Sequence, residues 1–322
     1  MSTVKSQQQE ALARLGSIAT ANESLAQYTT YRVGGDAAVF ASPRNEDDLH
    51  LVAEVVRDTG LPTLVVGRGS NLLVADAGFG GIVVSLANMA EWVRFEDVVV
   101  NVGAAMALPV LARRCVAAGL VGFEWAVGVP GSVGGAVRMN AGGHGSDMAA
   151  SLVGVHLLDL RTTNNAWVAV DKLHLRFRGS DIADHQVVID AQLLLQRGDT
   201  EAAEATLTEI VRWRREHQPG GQNAGSVFVN PIPGQLAAAE LIDKIGLRGF
   251  RIGGAAVSEK HANFIQAGEN CTAADVRAVI EHVRAEVKRT AGVELRSEVT
   301  LVGFDDLPWA NDVTLHHTGI AL

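Results

Sequence analysis

Two glycine-rich stretches decide the fold of this chain: GVPGSVGGAVRMNAG at residues 128–142 and GRGSNLL at residues 67–73. Neither stretch has enough large side chains to build a core. Glycine reaches positive φ and carries no Cβ, so such segments allow backbone N–H groups to approach a bulky anion closely. Two of them in one chain indicate a long, diphosphate-bearing cofactor that lies between two pieces of backbone.

The common nucleotide-binding motifs do not describe the first stretch. Residues 67–72 lack the third glycine of G-x-G-x-x-G, and the apolar run Leu72–Val74 follows in place of a helix start, so a Rossmann motif is excluded. The chain also contains no G-K-[ST], the end of a P-loop motif. The spacing alone leaves two interpretations of residues 67–71 open: a tight turn between strands and a phosphate-binding loop.

Composition limits the class of protein. The length of 322 residues predicts about two domains. Hydrophobic residues make up 48% and charged residues 20%, which is the balance of a globular protein with a sizeable core. The net charge of −9, from 36 acidic and 27 basic residues, argues against a nucleic-acid partner, although a few local arginines suffice to bind a small anionic ligand.

Cysteine usage and the N-terminal sequence indicate the compartment. Cys115 and Cys271 lie far apart and outside any C-x-x-C, which predicts free thiols and no metal site. Residues 1–15 are polar and lack the apolar stretch of a signal peptide, and no segment has the length and hydrophobicity of a membrane span. We therefore expect a cytoplasmic protein that does not enter a membrane.

Periodicity predicts a mixture of helices and strands. Helical spacing with capping residues predicts helices over residues 46–60, 108–118, 201–217, 237–245 and 273–291. Short apolar runs predict strands at 37–42, 64–66, 82–84, 98–100, 298–302 and several places in 152–197. The pattern is α+β, with a first lobe at residues 20–199 that carries both glycine stretches and a second lobe at residues 200–304. The tail, residues 305–322, has no periodicity.

Three polar side chains stand in otherwise apolar surroundings: Arg178, Ser226 and Glu298. Taken singly, they have simple structural interpretations, as a surface ion-pair partner, a turn hydroxyl and a solvated edge-strand residue. In one pocket they would provide a cation for a carboxylate, a proton donor and an acid. The stretch SEKHANF at residues 258–264 is equally open to two interpretations, an anion-binding segment and a well hydrogen-bonded loop.

The order of these motifs resembles that of the UDP-N-acetylenolpyruvoylglucosamine reductase family, from about Leu25 to Gly303. The resemblance rests on six segments in sequence: TTYRVGG at 29–35, GRGSNLL at 67–73 with Asp76 and Gly78, residues 128–142, GSVF at 225–228 with Asn230 and Pro231, SEKHANF at 258–264, and LRSEV at 295–299. The C-terminal lobe is similar to that of the shorter family type, which lacks an inserted tyrosine loop that binds substrate.

The resemblance implies an α+β fold made of a two-subdomain FAD-binding lobe of the vanillyl-alcohol-oxidase type and a C-terminal α+β substrate-binding lobe. The two subdomains would be residues 20–86 and 87–199. It implies non-covalently bound FAD, NADPH as co-substrate and reduction of UDP-N-acetylglucosamine enolpyruvate to UDP-N-acetylmuramate for peptidoglycan. We expect a monomer whose partners are the UDP-sugar and NADPH.

Residue roles also follow from the resemblance. Ser226 would protonate C2 of the enolpyruvyl group, while Arg178 and Glu298 would stabilise the enol-like carboxylate formed when hydride reaches C3. Asn230 and Lys260 would bind substrate, and no residue would bind a metal. The residues that would bind the cofactor are Arg32, Gly67, Arg68, Gly69, Ser70, Asn71, Leu72, Gly131, Ser132, Gly134, Gly135 and Ala136.

Three positions depart from the family pattern. Phe177 stands in place of tyrosine, Val229 in place of lysine, and Gly143-His144 in place of an Ala-Tyr pair. Two alternatives to the reductase therefore remain. One is a flavin-dependent oxidase or dehydrogenase with another substrate, and the other is a flavin-binding protein without turnover.

Overall fold

The computed structural model describes residues 2–232 and 234–304. Helices in this part of the chain are α1 Ser2–Leu15, α2 Glu46–Thr59, α3 Leu108–Ala117, α4 Val133–Arg138, α5 Thr200–His217, α6 Ala238–Lys244 and α7 Ala273–Ala291. The first nine strands are β1 Ala19–Ser24, β2 Asp36–Ala41, β3 Thr63–Val65, β4 Leu72–Val74, β5 Phe79–Val84, β6 Val93–Glu96, β7 Val99–Gly103, β8 Leu120–Val121 and β9 Gly142–Gly143. The remaining strands are β10 Ser146–Asp147, β11 Leu152–Asp159, β12 Asn165–Ala169, β13 Gln186–Leu194, β14 Gln196–Arg197, β15 Arg251–Ile252, β16 Ala255–Val257, β17 Ile265–Ala267 and β18 Thr300–Val302.

The first part of the chain forms a four-stranded sheet in the order β1-β2-β5-β3, in which β2, β5 and β3 run parallel. Helix α2 makes the connection between the parallel strands β2 and β3. Its start is defined by Asn45, whose side chain accepts a hydrogen bond from the Asp48 amide, and its end by Gly60 in the left-handed conformation (φ +65°). Helix α1 packs against α2.

A second sheet follows, with five antiparallel strands in the order β12-β11-β13-β7-β6. One hydrophobic cluster joins the two sheets and helices α2 and α3. Helix α5 also packs into this cluster, through Ala203, Leu207 and Ile210. The helix that the sequence assigns to the second lobe therefore lies on the core of the first, and the predicted lobe boundaries stay a prediction.

The C-terminal part of the chain has a separate core, built from α6, α7 and the small antiparallel sheet β15-β16-β17. Helix α7 begins with a capping box between Thr272 and Asp275, and it buries the stripe Val276, Val279, Ile280, Val283 and Val287. Four residues from the first part of the chain complete this core: Tyr31, Val33, Leu73 and Ala75.

Two further contacts fasten the parts together. Strand β18 pairs in parallel with β4, so that Thr300 lies opposite Leu72. The Asp76 carboxylate accepts hydrogen bonds from the Ala273 and Ala274 amides at 2.8 and 2.9 Å, at the positive end of the α7 dipole. The first contact includes the last two residues of the glycine-rich stretch at 67–73 and the second follows shortly after it, and together they place the stretch against the C-terminal lobe.

The α+β class is confirmed, and all five predicted helices are present. Each end differs from its predicted position by no more than one residue. Helix α1 was not predicted from its polar sequence. Helix α4 was hidden inside the second glycine-rich stretch. The last strand begins at Thr300 rather than at Glu298, because Glu298 lies in the irregular segment before it. The predicted tail, residues 305–322, lies outside the described residues.

Candidate active site

A cleft runs between the two glycine-rich stretches and the C-terminal lobe. It consists of two adjoining cavities of about 740 and about 400 Å³. The cavities share Gly67, Arg68 and Ser70 from the first stretch and residues 130–132 from the second as lining. Each cavity alone has the volume of a typical small-molecule site, so together they accommodate a ligand of dinucleotide size.

The first glycine-rich stretch is a turn between β3 and β4, and it also lines the cleft. Gly69 has φ +56°, and a Cβ there would overlap the Tyr28 carbonyl oxygen and lie 2.8 Å from the Thr29 Cα. A Cβ on Gly67 would overlap the Ser132 hydroxyl of the other stretch. The two interpretations left open by the sequence therefore describe one structure, a tight turn whose outer side faces a ligand cleft.

The second stretch continues the wall of the cleft. The Ser70 hydroxyl donates to the Pro130 carbonyl at 3.0 Å and links the two stretches directly. The amides of Val133 and Gly134, at the start of α4, donate to the carbonyls of Met106 and Ala104. These two amides hold α4 against the protein, so the short helix presents only its remaining polar groups to a ligand.

Every residue predicted to bind the cofactor lines one of the two cavities, from Arg32 in the smaller to Ala136 in the larger. Five arginines also line the cleft, in a chain whose net charge is −9: Arg32, Arg68, Arg138, Arg178 and Arg214. Glycine positions that leave no room for a Cβ and a concentration of guanidinium groups both fit a cofactor with a diphosphate.

The three side chains proposed for catalysis meet in the larger cavity, which Arg178, Ser226 and Glu298 all line. Arg178 Nε lies 2.6 Å from Glu298 Oε1, in a close ion pair whose N–H is poorly aligned as a hydrogen bond. Arg178 Nη1 also donates to the Gly142 carbonyl at 3.1 Å. Arg178 itself is left-handed (φ +57°), an uncommon conformation for a side chain of this size.

Burial has the largest effect on the pKa of Glu298. Only 18% of the Glu298 side chain is exposed, and this burial raises the pKa of its carboxyl, while the nearby Arg178 charge opposes the rise. The 27% exposure of Arg178 leaves part of its guanidinium accessible from the cavity. Arg178 can therefore pair with Glu298 and still present part of its guanidinium to an anionic group.

Backbone contacts hold the segment that carries Ser226. Gly225 is left-handed (φ +76°), and Ser226 then bridges to Phe264. The buried Asn263 side chain accepts from the Phe228 amide and donates to the Phe228 carbonyl, at 2.9 and 2.8 Å. The SEKHANF stretch thus serves as a hydrogen-bonded loop that positions the serine segment.

Two predicted substrate residues lie away from the cavity lining. The Asn230 side chain accepts from the Ala238 amide at 3.1 Å, at the start of α6, and is exposed. Lys260 is exposed and donates to the Arg215 carbonyl. The structure therefore assigns both side chains backbone partners, and their contact with substrate stays a prediction.

Two of the departures from the family pattern, Phe177 and His144, lie beside the cavity-lining residues Arg178 and Gly128. Phe177 is 60% exposed, and the Arg178 guanidinium lies 5.1 Å from the centre of its ring. His144 is left-handed (φ +51°) and meets Trp213 edge-on with ring centres 5.2 Å apart. Burial and the neighbouring Arg214 charge lower the pKa of His144, so its ring is neutral at pH 7.

Sequence reasoning missed Arg214 and Gln218, both in the wall of the larger cavity at the C-terminal end of α5. Burial lowers the pKa of Arg214, and the Gln218 side-chain oxygen is buried without a hydrogen-bond partner among the described residues. Gln218 follows the last residue of α5 with an extended backbone, so helical spacing does not relate it to Arg214, and no local sequence signal would have found the pair.

Among the described residues, no group of three His, Cys, Asp or Glu side chains is arranged to hold a metal ion. Nor does that part of the chain contain a helix long and apolar enough to cross a membrane.

The fold and the cleft define an FAD-binding oxidoreductase with a separate C-terminal lobe. A family model described as "FAD binding domain" matches residues 37–163, which confirms the predicted FAD-binding fold. The model "UDP-N-acetylenolpyruvoylglucosamine reductase, C-terminal domain" matches residues 216–302. The chain belongs to the UDP-N-acetylenolpyruvoylglucosamine reductase family.

Relatives and a solved structure support that membership over most of the chain. The Heliobacterium modesticaldum reductase is 44% identical over 283 residues, which cover 87% of this chain and 90% of the relative. The Bacillus subtilis reductase is 37% identical over 286 residues, with 88% and 93% covered. The crystal structure of the Thermus caldophilus enzyme aligns with a TM-score of 0.76 at 32% identity, covering 88% of this chain and 98% of that one.

Proposed function

We propose that this protein is an FAD-dependent reductase that uses NADPH to convert UDP-N-acetylglucosamine enolpyruvate into UDP-N-acetylmuramate, a precursor of peptidoglycan. One observation carries the proposal: Arg178, Ser226 and Glu298 line the same cavity as the two glycine-rich stretches. A cation, a hydroxyl and a buried acid beside a cofactor cleft suit hydride addition to an enolpyruvyl group better than oxidation of an unrelated alcohol.

The cofactor would be held without a covalent bond by the lining residues predicted for it, from Arg32 to Ala136, apart from the Asn71 side chain, which donates to the Glu298 carbonyl instead. When bound, FAD supplies hydride transfer from NADPH to C3 of the enolpyruvyl group. The chain supplies shape and charge: Gly67 and Gly69 let the first stretch pack tightly against Ser132 and the Tyr28–Thr29 backbone, and the lining arginines balance the negative charge of the diphosphate.

The protein's own side chains complete the reduction. Arg178 binds the substrate carboxylate, onto which negative charge moves as C3 gains hydride, and Glu298 orients the guanidinium from 2.6 Å away. Preorganised charge of this kind contributes several kcal/mol of transition-state stabilisation, roughly 3–4 kcal/mol for a single donor. The Ser226 hydroxyl donates its proton to C2, so that hydride and proton together produce the lactyl ether.

Other features belong to the same proposal. The chain divides at about residue 200 into an FAD-binding lobe and a substrate-binding lobe, acts as a monomer in the cytoplasm, and binds neither nucleic acid nor a membrane. Asn230 and Lys260 contribute to substrate binding. Phe177 and His144 stand where the family pattern has tyrosines, and they change the side chains that lie beside the cleft.

The test uses the purified holoenzyme under anaerobic conditions. NADPH should bleach the flavin absorbance, and the enolpyruvyl substrate should restore it with formation of one UDP-N-acetylmuramate per flavin. An inert flavin-binding protein would not bleach. An oxidase would bleach and recover in air but would ignore the enolpyruvyl substrate, and either result would overturn the proposal.

A further inference from the structure

Asn71 connects the first glycine-rich stretch to the segment of the buried acid. Its side-chain Nδ2 donates to the Glu298 carbonyl at 2.8 Å, across 227 positions of sequence. Its own carbonyl accepts from the Thr300 amide at 2.9 Å. The side chain and the backbone of one residue therefore hold both ends of the segment between Glu298 and Thr300.

The backbone of Glu298 is held from two directions. On one side its amide donates to the Val227 carbonyl at 2.7 Å, directly after Ser226. On the other side its carbonyl receives the hydrogen bond from Asn71. The Glu298 backbone is thus hydrogen-bonded to the serine segment on one side and to the stretch at residues 67–73 on the other. Asn71 makes the contact with that stretch.

The Glu298 side chain has little freedom to compensate for a shift of its backbone. It is mostly buried and contacts Arg178 at 2.6 Å, where a small displacement would break the ion pair. Misplacement of a reacting group by about 1 Å can cost about 10²-fold in rate. The hydrogen bond from Asn71 fixes the position of the Glu298 backbone. It can therefore affect the reaction rate although Asn71 does not contact the substrate through this group.

We propose that Asn71 is a positioning residue, which sets Glu298 and its ion pair with Arg178 relative to the glycine-rich stretch beside the cofactor. This role differs from the cofactor contact that the sequence predicts for Asn71, because the Nδ2 donor is directed at protein rather than at ligand. The inference rests on the proposed function, since it assigns Glu298 a part in the second half-reaction.

The experiment compares Asn71→Ala and Asn71→Asp with wild type. The second variant keeps the shape of the side chain but loses the donor. Asn101→Ala is the matched control, because it also loses one partly buried, long-range hydrogen bond, from Gln192 at 3.0 Å, away from the cavity lining. Each protein is measured for FAD content, melting temperature and the two half-reactions by anaerobic stopped flow.

Both Asn71 variants should retain stoichiometric FAD and reduce it with NADPH at a rate within about twofold of wild type. Their reoxidation by the enolpyruvyl substrate should slow by about 10- to 100-fold, as expected for a misplaced acid. The Asn101→Ala control should show a comparable change in melting temperature and unchanged rates in both half-reactions.

Three results would overturn the inference. Loss of FAD, or equal slowing of both half-reactions, would make Asn71 a cofactor ligand. Unchanged reoxidation in both variants would make its hydrogen bond irrelevant to Glu298. Failure of both variants to fold, with a folded Asn101→Ala control, would make Asn71 a purely structural residue. Failure of the wild type to be reoxidised by substrate is a separate outcome, because it would remove the proposed function itself.

Discussion

Arg178 Nε lies 2.6 Å from Glu298 Oε1 in the wall of the cleft, although 120 positions separate the two residues in sequence. The two residues come from distant parts of the chain, so the pair exists only when those parts are packed together. Its chemistry, a guanidinium partly open to the cavity and a carboxylate mostly closed off from water, is the basis of the predictions below.

Glu298→Gln should lower kcat without lowering stability at neutral pH. Burial raises the pKa of the Glu298 carboxyl above its ordinary value of 4.5, so the folded state holds this proton more tightly than the unfolded state. The stabilisation that results is complete below pH 4.5 and is lost as the pH rises through the raised pKa.

As the pH rises through the raised pKa, the wild type gains a buried charge that the amide variant lacks. We expect the melting temperature of Glu298→Gln, relative to wild type, to increase from pH 4.5 to pH 8, which calorimetry at several pH values will measure. A relative melting temperature that decreases over this range would show that Arg178 stabilises the carboxylate more than burial destabilises it.

Arg178→Lys should lose activity although it keeps the charge. Arginine can grip a carboxylate with two parallel hydrogen bonds, whereas lysine is a point charge on a flexible stem. We expect kcat to fall by about 10²-fold, the scale of losing one charge-stabilising donor. Steady-state kinetics will measure the effect beside Arg113→Lys, an exposed control on α3. Near-normal kcat in Arg178→Lys would mean that charge alone suffices.

Gly69→Ala should reduce FAD content and also stability. The added Cβ would meet the backbone of Tyr28 and Thr29, and the residue would keep a left-handed φ of +56° that alanine resists. Gly80→Ala is the control, since a Cβ there has no atom within 4 Å and the φ is not left-handed. Flavin absorbance per unit of protein measures the FAD content of each variant, and thermal melts measure its stability. Equal FAD content in both variants would show that the tight packing of residue 69 against Tyr28 and Thr29 is not needed for FAD binding.

Local signals in the sequence predict much of the fold. Thr272 with Asp275 at one end and Gly292 at the other define α7, and Asn45 with Gly60 define α2, because capping depends on residues within one turn. Helix α1 was not predicted, because its polar sequence does not distinguish it from a loop.

The sequence predicts which residues belong to the candidate site, but it does not predict how they are arranged in space. That Leu72–Val74 would pair with Thr300–Val302 depends on chain packing over more than 200 residues, which local patterns do not encode. The same holds for the contact between Asn71 and Glu298. For Asn230 the motif implies substrate contact, and its side-chain oxygen accepts a hydrogen bond from the Ala238 amide at the start of α6, so the substrate contact stays a prediction.

The half-reactions of Ser226→Ala test the central claim most directly, that one cleft joins a cofactor site to a proton donor for C2. NADPH should reduce the flavin of this variant at nearly the wild-type rate, and reoxidation by the enolpyruvyl substrate should slow on the order of 10²- to 10⁴-fold, the usual loss for a positioned proton donor. Ser24→Ala, on the exposed strand β1, should match wild type in both steps. Equal slowing of the two half-reactions, or unchanged reoxidation, would contradict the claim and leave Ser226 as a turn hydroxyl.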